Sequence, residues 1–147
     1  MDSYRANILG SIIGIFILVI CSLVFVSRLA GNSKLEYWLG IVFILTALPI
    51  SYLLLTAGKF NRPTLYYVQL GLMLAFIIAE LLLDYIFKID FRNIGWMTVS
   101  YVILFFAATG GMIGIASLSG KVYLILAVIF FFIMTFLALY QRCKTGM

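Results

Sequence analysis

Two acids stand inside an otherwise apolar stretch. Glu80 and Asp84 are separated only by Leu81, Leu82 and Leu83. On a helix a spacing of four puts both side chains on one face. An ionised, unpaired carboxylate in hydrocarbon is costly, so such a group takes a proton, pairs with a base or lines water. That is the chemistry of a proton- or cation-binding site. The competing expectation is structural, an ion pair that ties two helices together.

Gln69 lies eleven residues before Glu80. Eleven steps of about 100° fall roughly 20° from three full turns. Gln69, Glu80 and Asp84 therefore share a stripe and form the candidate proton or cation site. Lys88 continues that stripe four residues beyond Asp84. Asp84 sits ~5 Å from the end of the apolar stretch and is placed to pair with Lys88, while Glu80 sits ~10 Å in. Arg28, which closes the first apolar stretch on the same membrane side, is the expected basic partner from a neighbouring helix.

These residues need elements that hold them in a membrane. Hydrophobic residues make up 65% of the 147, and charged residues only 10%. Soluble domains run at about 45–50% and about 25%. The composition excludes a soluble globular domain, a disordered chain and a disulfide scaffold. A helix needs about 20 apolar residues to span the hydrocarbon core. Five stretches qualify, at about 8–29, 37–57, 65–87, 94–116 and 122–140. The expected fold is all-α: one polytopic domain, a bundle of five transmembrane helices with short loops. A transmembrane barrel is excluded, because its strands alternate apolar and polar residues and the run from Val122 to Met134 does not.

Punctuation marks the boundaries. Gly58 is an expected helix stop and Pro63 stands near the next start. Asn93 is an expected N-cap of the fourth span. Tyr37, Trp38, Tyr66, Tyr67, Tyr85, Trp96, Tyr123 and Tyr140 cluster where membrane interfaces are expected, as in an aromatic belt. Pro49, in the middle of the second span, removes a backbone donor and predicts a kink there, with Thr46 placed to help satisfy the freed carbonyls.

Small residues mark close approaches. Ala107, Gly110, Gly111 and Gly114 gather on one side of the fourth span, and Gly10 and Gly14 on the first. Such faces let helix backbones pack tightly, within one bundle or across a dimer, or form a groove for a lipid tail. Spans one and four are expected to pack on each other or to dimerise. The fifth span carries no charge between Val122 and Tyr140, which predicts heavy lipid exposure.

Several chemistries lack their residues. There is no histidine, so His-ligated haem, His-rich zinc and histidine bases are excluded. Cys21 and Cys143 form no C-x-x-C pair. Neither a phosphate loop nor the carboxylate motifs of membrane transferases are present, so the balance is against an enzyme, and no cofactor or metal is expected. The net charge of +5 is spread over short segments and forms no nucleic-acid patch. Arg5, Lys59, Arg62 and Lys121 fall on one side of the membrane, and Arg28, Lys34, Lys88, Arg92, Arg142 and Lys144 on the other. The positive-inside rule then sets the N-terminus outside and the C-terminus in the cytoplasm.

Two functions fit. One is a small proton- or cation-coupled transporter or channel-like protein centred on Glu80. The alternative is a non-catalytic accessory, assembly or lipid-binding subunit that docks through its small-residue faces. The expected partners are membrane lipids and either further copies of the chain or another membrane protein.

Overall fold

The chain is described by a computed structural model over residues 3–87 and 95–145. Lys88, Arg92 and Asn93 lie outside the described residues, as does the side chain of Asp84. Every regular element among the described residues is helical: α1 (Ser3–Leu29), α2 (Ser33–Leu45), α3 (Ala47–Ala57), α4 (Thr64–Glu80), α5 (Gly95–Ser117) and α6 (Lys121–Thr145). Helices α2 and α3 together make the second span, giving five spans long and apolar enough to cross a membrane.

Local chemistry sets the ends. Helix α1 stops at Gly31, which adopts φ +72°, while Asn32 N–H bonds back to the Ser27 carbonyl. This left-handed closure satisfies carbonyls that the helix end would orphan. The Asn32 side chain then accepts from Leu35 N–H at 3.1 Å, a cap worth about 1 kcal/mol. The second span therefore starts at Ser33, four residues before the expected Tyr37. At its far end Gly58 is not the stop. It stays right-handed and opens a 3-10 turn, Gly58–Phe60, and the left-handed residue is Asn61 at φ 53°. Asn is the residue after Gly that tolerates this conformation best.

The second span is interrupted at Thr46, three residues before Pro49. Thr46 Oγ1 donates to the Phe43 carbonyl, two residues before Leu45, whose carbonyl Pro49 leaves without a donor. The third span changes character after Glu80: Leu81–Ile86 is a π-helical turn, closed by Phe87 N–H to Leu82 O at 2.8 Å.

In the bundle, α1 packs against α2, α5 and α6, and α4 packs against α3 and α5. The first span is thus the most enclosed and the fifth the least. Ala127, Met134 and Gln141, seven residues apart, form the buried face of α6, while Ile125, Phe132 and Phe136 face outward.

Candidate functional site

Four spans converge on one cavity at the end of the bundle that carries the Gly31 turn. Each contributes at helical spacing. Cys21, Phe25 and Arg28 come from α1; Ser33, Glu36, Tyr37, Gly40 and Phe43 from α2; Phe76 and Glu80 from α4; Tyr101 and Phe105 from α5. Tyr85 joins them from the π turn. The volume is about 260 Å³.

The charged groups sit in its upper part. Arg28 Nε donates to Glu36 Oε1 at 2.6 Å, with the arginine side chain only 10% exposed. Glu36 stands in the first turn of α2, where the helix dipole favours a negative charge. The guanidinium also lies 5.6 Å from the Phe25 ring centroid, a cation–π contact. On the opposite wall the Tyr101 hydroxyl donates to the Glu80 carboxylate. A charge-assisted bond of this kind is about twice as strong as a neutral one.

An aromatic layer closes the inner end. Phe76 contacts Phe43 at 5.7 Å and Phe105 at 5.4 Å between centroids, and Phe105 meets Phe25 edge-on at 5.9 Å. Each pair adds about 0.5–1.5 kcal/mol beyond area burial. Tyr85 lies across the second span: its hydroxyl donates to the Tyr37 carbonyl at 3.1 Å, and its ring is 5.5 Å from that of Tyr37. Gly40 makes room for it, since a Cβ there would collide with the Tyr85 hydroxyl.

The residues expected at the site divide. Glu80 and Arg28 line the same cavity, and the ion pair of Arg28 is with Glu36, a residue that sequence reasoning had assigned to a connection. Gln69 shares the helix face of Glu80 but is absent from the cavity lining, ~16 Å away along the axis. It fits against α5 instead. A Cβ at Gly111 would lie 3.4 Å from Gln69 Cβ, and one at Gly114 would overlap its amide. Gly10 and Gly14 of α1 face Ile115 and Met112, so spans one and four pack together, but not glycine face to glycine face. A Cβ at Gly110 would meet nothing within 4 Å, and Ala107 is exposed. Pro49 borders a separate apolar crevice of about 310 Å³ with Ile12, Phe16 and Leu45.

Reasoning from sequence missed Glu36, Tyr37, Tyr85 and Tyr101. For α2 a signal existed: Ser33, Glu36, Tyr37 and Gly40 repeat at i, i+3, i+4 and i+7. Among the described residues no cluster of His, Cys, Asp and Glu is large enough to hold a metal ion. Comparison with protein families, curated proteins and solved structures gives no match to this chain.

Proposed function

We propose that this protein is a small membrane transporter or channel-like protein in which Glu80 binds a proton or cation at the head of a one-sided vestibule. One observation carries the reading. The Glu80 carboxylate lines a cavity of about 260 Å³ whose rim residues Ser33 and Tyr37 are exposed. An accessory subunit needs no cavity at its membrane carboxylate. The Arg28–Glu36 pair keeps the vestibule polar, and the Phe43–Phe76–Phe105 layer separates it from the opposite face. Passage then requires that layer to part, which makes the vestibule one end of an alternating path.

Protonation is the coupling step. A proton on Glu80 removes its charge and weakens the hold of the Tyr101 hydroxyl, so the α4–α5 contact is looser in the neutral form. The test is flux in proteoliposomes under an imposed pH gradient, read with an entrapped pH dye. Wild type moves protons, Glu80→Gln does not, and Tyr101→Phe moves them with a shifted pH dependence. Equal flux in Glu80→Gln and wild type would sink the proposal. The C-terminus is placed in the cytoplasm by the Lys and Arg bias. An impermeant maleimide added outside intact cells then leaves the exposed Cys143 unmodified until the membrane is opened.

A further inference from the structure

A second cavity, of about 110 Å³, lies behind the vestibule, between the ends of α1 and α6 and the first turns of α5. Arg28, Tyr101, Phe25 and Phe105 line both cavities and form the partition between them. The second cavity has two ends of opposite character. Arg28, Arg142, Thr98 and Gln141 crowd the end at headgroup depth, and Phe106 and Ala138 lie deeper. Gln141 and Thr98 are buried at that end. Arg28 reaches Glu36 through Nε, the inner corner of its guanidinium, so its two terminal amino groups remain as donors. Val102 and Leu139 form a rim exposed toward lipid. No carboxylate lines this cavity among the described residues, because Glu36 and Glu80 stand beyond the partition.

We propose that this cavity binds the phosphate of an anionic phospholipid between Arg28 and Arg142, with the acyl chains leaving over Val102 and Leu139. Arginine forks suit phosphate oxygens bidentately. Basic pockets between transmembrane helices hold anionic headgroups. A zwitterionic headgroup would bring an ammonium for which the cavity offers no carboxylate. The volume admits a compact headgroup while the chains lie outside. Because Arg28 also holds Glu36, lipid occupancy on one side of the partition bears on the ion pair on the other.

The experiment is native mass spectrometry of the full chain in detergent, titrated with phosphatidylglycerol, phosphatidylcholine or glycerol phosphate. Wild type is expected to bind phosphatidylglycerol at least tenfold more tightly than phosphatidylcholine. Arg142→Gln should weaken phosphatidylglycerol binding roughly tenfold, the loss of one charge-assisted contact. Lys144→Gln, two residues on and outside the cavity, should stay within about twofold. Ala138→Phe fills the apolar end without touching a charge and should also weaken binding. Equal affinity for the two lipids overturns the proposal, as does an equal loss in Lys144→Gln, which would mean diffuse attraction to a basic tail. Glycerol phosphate that competes at the lipid's own concentration overturns it in favour of a soluble anion. Undiminished binding by both Arg142→Gln and Ala138→Phe overturns the location. The readout is lipid binding, so it stands or falls independently of proton flux.

Discussion

Gly40 owes its place to a tyrosine 45 positions further along the sequence. The Tyr85 hydroxyl occupies the space a Cβ would need, and a tyrosine ring has no flexible end to swing aside. Gly40→Ala should therefore destabilise the protein by about 1–3 kcal/mol, the usual cost of overpacking, seen as a lower thermal midpoint in detergent. Gly40→Ala combined with Tyr85→Phe should recover most of it, because the clashing oxygen is gone. No recovery would show that the alanine clashes with something other than Tyr85. Gly114→Ala offers a contrast. The atom in its way is the amide end of Gln69, which can rotate, so a smaller loss is expected in the same measurement. That Glu80 lies deep in an apolar run was legible in the sequence; that it lines a cavity and meets Tyr101 was not. Nor was the role of Glu36, since it depends on Arg28 meeting it across the Gly31 turn.

Breaks in regular helix were partly legible at the scale of elements. Pro49 removes a backbone donor wherever it occurs, so an interruption in the second span followed from chemistry alone. Its position at Thr46 did not, because Thr46 joins the preceding turn by bonding the Phe43 carbonyl. Pro49→Ala restores a donor for the Leu45 carbonyl and should straighten the span. Spin labels at Lys34→Cys and Lys59→Cys, in a Cys143→Ser background, should then report a longer distance by pulsed dipolar spectroscopy. An unchanged distance would assign the interruption to packing against α1 instead of to the proline. The π turn after Glu80 left no mark in the sequence. Its residues, Leu81 to Ile86, read as ordinary apolar helix, and the wider turn is what brings Tyr85 back over the second span. Such turns recur at functional sites.

In the whole molecule, lipid takes the place that water has around a soluble fold. Between helices in a bilayer there is little hydrophobic driving force, and packing contacts decide the arrangement. The outward and inward faces of α6 therefore differ in energy though not in composition. Met134, fully buried, should cost about 2–5 kcal/mol on replacement by Ala, because a cavity is left behind. Phe132, 65% exposed, should cost close to nothing on the same replacement. Chemical or thermal unfolding in detergent separates the two, and the reverse order would place the α1–α6 interface on the other face. The heavy lipid exposure expected of the fifth span is present, but confined to that outer face.

Class, span number and approximate span ends belong to the sequence by itself. Each depends on sums over adjacent residues, the transfer free energy along 20-residue windows, while the exact ends shifted by a few residues with local bonds such as the Asn32 cap. The tertiary structure alone decided which side chains meet. It sent Gln69 to the glycines of α5, paired Arg28 with Glu36, and set the Tyr101 hydroxyl on Glu80. Helical spacing says which residues share a face but not which helix that face will meet. That choice rests on shape fit and hydrogen bonds between residues distant in the chain, to which no single segment holds the key.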